Sequence, residues 1–212
     1  MSEEKLNTDQ MINILDKCYD VVLKGTKITK SPEELAQDYL SKKKTKKAAI
    51  KSFINYQTAK CTTSGFLTSL GGLILLPVEI PTNVSSVIYV QLQMIATIAT
   101  ICGYDPKDDQ VQTLVYVCLA GMSATDIIKV TSIKIGNKAA TAALKKLPRA
   151  VLTKINRAVG FRLVTKFGTK GVINLVKLVP VAGGVVGGGV DFVGTKAIGK
   201  RAYKLFYEDE IE

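Results

Sequence analysis

Met11, Ile12, Leu15, Tyr19, Val22 and Leu23 recur at helical spacing, which predicts a first helix over residues 9–23 with Gly25 as its stop. Ser31-Pro32-Glu33-Glu34 reads as the next helix start. The serine caps, the proline fits the first turn, and Glu34 can return a hydrogen bond to complete a capping box. A helix through residues 42–60 follows, with Lys42, Lys43, Lys44, Lys46, Lys47 and Lys51 too clustered to be buried. The character changes between Gly65 and Ile101, where Glu79 is the only charge. Pro77 and Pro81 cannot both sit inside one regular helix, so this apolar heart divides into helix, break, helix. The second of these, over residues 84–102, sets Val84, Val87, Ile88, Leu92, Ile95, Ala99 and Cys102 on one face and Ser86, Gln93, Thr97 and Thr100 on another.

Residues 80–104 carry no charge and reach the roughly 20 residues a membrane span needs. They also carry Pro81, Asn83, Gln91 and Gln93, which fit better in a buried helix whose soft polar groups satisfy one another across helix contacts. Gly103-Tyr104-Asp105-Pro106 ends that helix, and Asp105 is expected to cap the next, which continues to about residue 123. The basic portion beyond it is expected to divide at Gly136, Pro148, Gly160 and Gly168 into shorter amphipathic pieces. Lys134, Lys138 and Lys145 share one helical face if Gly136 does not break it, and Arg149 continues the series. Arg162, Lys166 and Lys170 repeat the pattern at intervals of four. Neither series alternates as a strand would, and the fold class expected is all-α: a compact multi-helix bundle with glycine-rich, proline-broken apolar helices.

Charge adds a functional bias. The 212 residues hold 29 Lys and Arg against 18 Asp and Glu, a formal +11, and an excess of that sign favours anionic partners. Residues 127–190 contain twelve cations and no acid, whereas an ordinary solvated helix face interleaves glutamates. With 47% hydrophobic residues and 22% charged ones, the chain has the profile of a packed globular or membrane-associated protein. The expected division is an N-terminal helix over residues 1–30, a helical domain over 31–206 and an acidic tail over 207–212. The four cysteines are far apart and resemble small core residues more than a disulfide framework. The start Ser2-Glu3-Glu4-Lys5 lacks a secretory pattern, so the expected location is cytoplasmic, peripheral at the cytoplasmic face of a membrane.

The most distinctive stretch runs from Pro180 to Val190 and contains five glycines, which in a helix would cost about 5 kcal/mol against alanine. Gly183 and Gly187, like Gly184 and Gly188, have the four-residue spacing that lets helix backbones approach closely. A flexible loop is the alternative. A phosphate-cradling loop is disfavoured, since no Gly-Lys-Ser/Thr follows.

Gly65-Phe66-Leu67 with Gly71-Gly72, Leu76-Pro77-Val78-Glu79-Ile80-Pro81, Tyr89-Val90-Gln91-Leu92, Gly103-Tyr104-Asp105, Val179-Pro180-Val181-Ala182-Gly183-Gly184 and Gly199-Lys200-Arg201-Ala202 follow in an order and spacing that resemble the EcsC family. The resemblance covers about residues 48–206. It implies a family without an established biochemical activity, named for a bacterial operon whose other members form an ABC transporter, and it supplies no catalytic residues.

The chain has no histidine, which removes the Ser-His-Asp and Cys-His arrangements together with the commonest metal ligand. Glu79, Asp126 and Asp191 are candidate buried polar groups; Glu79 is the acid whose burial could raise its pKa, and the other two border the acid-free segment and could pair with its cations. Only Cys61, beside Lys60, hints at a reactive thiol setting. No cofactor, metal or catalytic residue is therefore expected. The function expected is that of a non-enzymatic protein binding an anionic membrane surface through Lys134, Lys138, Lys145, Arg149, Arg162, Lys166 and Lys170. The alternative is a cytosolic adaptor or regulator of a membrane-protein partner such as an ABC transporter. Homo-oligomerisation is open, and nucleic acid is disfavoured because Phe161 and Phe167 are the only aromatics in residues 127–190.

Overall fold

The computed structural model describes residues 7–61, 82–133, 146–167 and 188–209; the side chains of residues 61, 82–86, 166–167 and 188–193 lie outside that description. The described residues form eight α-helices and no strand. In chain order they are α1 (Thr8–Lys24), α2 (Pro32–Lys42), α3 (Lys46–Cys61), α4 (Thr82–Cys102), α5 (Asp109–Ala120), α6 (Ala124–Thr131), α7 (Arg149–Phe167) and α8 (Gly188–Tyr203), the last passing into a π-helical turn over Lys204–Glu208.

Helix starts follow the side chains that can cap them. Asn7 and Gln10 form a capping box on α1, and Ser31 and Glu34 form the expected one on α2. At the other end of α1, Gly25 takes a φ of 68°, which a side chain would resist. Two expectations need correction. Asp105 does not cap α5: its Oδ1 accepts from the Lys107 amide at 2.9 Å and its carbonyl from the Asp108 amide at 3.2 Å, so residues 105–108 close as a turn. The buried Tyr19 hydroxyl locks that turn by donating to the Pro106 carbonyl at 2.7 Å, and the helix starts only at Asp109. Gly160 does not divide the basic segment either, because α7 runs through it without interruption.

The reason lies in packing. A Cβ on Gly160 would stand 2.9 Å from Ile12 Cγ1 and 3.1 Å from the Thr8 carbonyl oxygen, so the missing side chain is what lets α7 lie against α1. Gly199 does the same for α8, where a Cβ would stand 2.8 Å from Ile54 Cγ2 on α3 and 3.2 Å from Met94 Sδ on α4. Close helix approach through glycine is thus observed at Gly160 and Gly199. Of the glycines expected to mediate it, Gly183, Gly184 and Gly187 lie outside the described residues, and Gly188 opens α8.

α4 is the axis. It packs against α1, α2, α3, α5 and α8, and every residue from Val87 to Ala99 is buried. Between Val87 and Ala99 the expected apolar and polar faces therefore both point inward. Gln93 Nε2 donates to the Lys30 carbonyl at 2.9 Å, Gln57 Nε2 donates to Gln93 Oε1 at 3.0 Å, and Gln91 Nε2 donates to Thr195 Oγ1 at 3.2 Å. No single helix among the described residues is long and apolar enough to cross a membrane. The Pro77 and Pro81 break lies outside the described residues.

Replacing Gly199 by valine should lower the unfolding free energy by about 1–3 kcal/mol, the usual cost of overpacking a tight contact. Gly194→Ala, where an added Cβ meets nothing within 4 Å, should be neutral or stabilise α8 by up to about 1 kcal/mol. Chemical denaturation of the two variants decides the matter, and equal stability of Gly199→Val and the parent chain would remove the close-packing role.

Candidate functional site

Nineteen of the 29 cations fall in residues 39–78 and 127–190, and those two stretches hold none of the 18 acids. In the first stretch Lys42, Lys43, Lys44, Lys46, Lys47 and Lys51 are all exposed, where α2 turns into α3. Two of them have local work. Lys46 Nζ donates to the Cys102 carbonyl at 3.4 Å, supporting the C-terminal end of α4, and the Lys47 charge lies close enough to Tyr203 of α8 to act on its hydroxyl. The lysine-rich corner is therefore tied to the axis through Lys46.

In the second stretch the structure gives two of the expected binding residues roles inside the molecule. Arg149, at the start of α7, lies 3.7 Å from Asp109 at the start of α5, with both side chains largely in solvent. Arg162 pairs with Asp126 at 2.8 Å and donates its second terminal nitrogen to the Gly121 carbonyl at 3.1 Å. Gly121 is the corner where α5 and α6 meet at 119°, with a φ of 64°. Arg201 of α8 closes the other side: a Cβ on Gly121 would stand 2.5 Å from its Nη1. Two arginines from distant helices thus clasp one glycine.

Asp126 also belongs to a capping box that sequence reasoning missed. Its Oδ2 accepts from the Ser123 amide at 2.9 Å, and its own amide donates to Ser123 Oγ at 3.2 Å. The signal was present as Ser-x-x-Asp directly after a glycine and a methionine, with aspartate in the place more often taken by glutamate. The Ser123 amide, the Ser123 hydroxyl and the Arg162 guanidinium hold the Asp126 carboxyl below its ordinary pKa.

Lys134, Lys138, Lys145, Lys170 and Glu79 lie outside the described residues. Lys166 is on α7 and Asp191 in the first turn of α8, both without a described side chain. What α7 does show is an outward stripe. Ala150, Lys154, Arg157, Phe161 and Thr165, spaced by four, three, four and four, are all exposed, and Phe161 is 67% exposed. Its opposite side buries Leu152, Ile155, Val159 and Leu163.

Several groups with chemical potential among the described residues are engaged structurally. Burial pushes the Cys18 and Cys118 thiols up to about 12 and Cys102 up to about 11, which leaves them as inert core thiols at neutral pH. Asp16 accepts from the Tyr116 hydroxyl at 2.7 Å and from Gln112 Nε2 at 3.1 Å, tying α1 to α5, while desolvation raises its pKa. Among the described residues no group of three or more His, Cys, Asp or Glu is placed to hold a metal ion.

The chain matches the EcsC protein family over residues 4–208, nearly its whole length, and belongs to that family. The match takes in α1, which packs into the same core as the rest. No curated protein and no solved structure shows a significant match.

Asp126→Ala should cost about 1 kcal/mol at neutral pH, the size of a lost capping interaction. Because the folded pKa is depressed, this contribution is complete above the unfolded carboxyl value of about 3.9 and disappears as the pH falls through the folded one. Stability measured against pH for both chains should show a constant gap above about pH 5 that narrows in acid. A gap that does not narrow in acid would assign the loss to something other than the carboxylate.

Proposed function

We propose that this member of the EcsC protein family is a non-enzymatic, membrane-associated protein that binds the anionic face of a membrane, on the cytoplasmic side, through its basic helical surfaces. The observation that supports the reading is the segregation of charge. An exposed lysine that only solubilises the protein is usually accompanied by acids on the same face, and residues 39–78 and 127–190 have none. Lys42, Lys43, Lys44 and Lys51 near the start of α3, and Lys154 and Arg157 on α7, are exposed.

Magnitudes favour a lipid surface as the counter-charge. Near an acidic leaflet each cation contributes about 1 kcal/mol, so six engaged together supply about 6 kcal/mol. That corresponds to binding in the tens of micromolar range, as expected of a protein that associates reversibly. Nucleic acid would offer the same charge, but the described basic surfaces carry few aromatics for base stacking, with Tyr56 and Phe161 far apart in sequence.

Flotation with vesicles of phosphatidylcholine alone and of phosphatidylcholine with phosphatidylserine tests the proposal. Recovery should require phosphatidylserine and should fall sharply between about 0.1 and 1 M salt, as the screening length shrinks from about 10 to 3 Å. Equal recovery with both compositions, or none with either, overturns it.

A further inference from the structure

We infer that the outward stripe of α7 is the membrane-contacting element, with Phe161 entering the boundary between headgroups and acyl chains of an anionic bilayer while Lys154 and Arg157 engage the headgroups around it. The inference rests on the membrane-binding reading above and names the surface that carries it.

Three independent features converge on this face. The first is exposure: of the large hydrophobic residues that reach solvent among those described, Phe161 is the most exposed, at 67% against 53% for Tyr56 and 52% for Ile28. An aromatic ring in water forgoes the largest hydrophobic gain available to a side chain on that helix. The second is composition. Arg157 stands one turn and Lys154 two turns before Phe161 on the same face, Ala150 and Thr165 complete it, and α7 contains no acid. One ring framed by long cations suits a lipid interface, where Lys and Arg keep their charge among headgroups while their stems and the ring lie deeper. A protein partner fits less well, because the buried centre of such interfaces is depleted of lysine and other charge.

The third feature is rigidity. Gly160, next to Phe161 in the chain, lets α7 lie against Thr8 and Ile12 of α1. Arg162, its neighbour on the other side, is held by Asp126 and the Gly121 carbonyl. The ring is thus flanked by two residues fixed to the body of the protein, and its outward direction is set before any membrane is met. Ordering the element on binding then costs little.

The chain has no tryptophan, so Phe161→Trp places a single reporter at the proposed point of entry. On vesicles containing phosphatidylserine its emission should move to the blue and be quenched by brominated acyl chains, with neither change on phosphatidylcholine alone. Tyr56→Trp, on α3, is the comparison and should stay unquenched. Phe161→Ser should weaken vesicle binding by about tenfold to a hundredfold, the span expected for losing one buried aromatic ring. Lys154→Glu with Arg157→Glu should weaken it at least tenfold, since each cation contributes about 1 kcal/mol. Lys43→Glu with Lys44→Glu should weaken it less. Thermal melting of each variant separates surface effects from loss of fold. If the parent chain floats on anionic vesicles but the Phe161→Trp reporter is unquenched and Phe161→Ser binds as tightly, this inference falls and the membrane-binding reading stands. Equal quenching in the Phe161→Trp and Tyr56→Trp variants also overturns it. Failure of the parent chain to float removes both.

Discussion

A helix surrounded on every side leaves its polar side chains no route to water, and the fold is arranged around meeting that constraint on α4. Gln91, Gln93 and Thr97 are each at most 3% exposed. An amide placed in such an interior without a partner costs a few kcal/mol. The answer lies in neighbouring elements: the α1–α2 connection turns back so that the Lys30 carbonyl meets Gln93, α3 brings Gln57 to the same amide, and α8 brings Thr195 to Gln91. Tyr89, one turn before Gln93, donates to or accepts from Thr29 at 2.6 Å, and Thr29 in turn pairs with Thr26. Packing alone would allow helices to slide along an apolar rod. These bonds set the register of α2, α3 and α8 against the axis. The satisfaction is incomplete, since among the described residues Gln57 Oε1, Gln91 Oε1 and Thr97 Oγ1 have no hydrogen-bond partner.

Glycine supplies a complementary constraint. Where hydrogen bonds fix register, the absence of a Cβ fixes separation: α7 meets α1 at Gly160, and α8 meets α3 and α4 at Gly199. Each such glycine costs its helix about 1 kcal/mol in propensity, which the closer packing offsets. At Gly121 the requirement is different. A left-handed turn sends α6 away at 119°, Arg201 fills the space a side chain would occupy, and Arg162 holds the Gly121 carbonyl.

The sequence made the helices legible, and several ends too, because local capping chemistry decides them: Ser31 with Glu34 and Gly25 were readable as they stand. It misled where a tertiary contact overrode the local signal. Asp105 has the form of a cap, but Tyr19, 87 positions away from Pro106, holds the Pro106 carbonyl and keeps the turn non-helical. Gly160 has the form of a break, but its cost is met by contact with α1, which no local pattern announces. The charge bias was readable and its geometry was not. Lys134, Lys138, Lys145, Arg149, Arg162, Lys166 and Lys170 were grouped by spacing, yet Arg149 and Arg162 are joined to acids brought by α5 and α6. Phe161 was visible only as a scarce aromatic; its exposure depends on which side of α7 meets the core.

That division of labour among the cations bears on function. Arginine, with its planar fork, serves where two acceptors must be bridged at once, as Arg162 does between Asp126 and the Gly121 carbonyl. The exposed lysines at the start of α3 are compact charges on flexible stems, suited to a surface without fixed geometry. Nineteen cations in two acid-free stretches also repel one another, an electrostatic cost that the folded chain carries. Any anionic partner that engages the folded arrangement better than the unfolded chain would stabilise it.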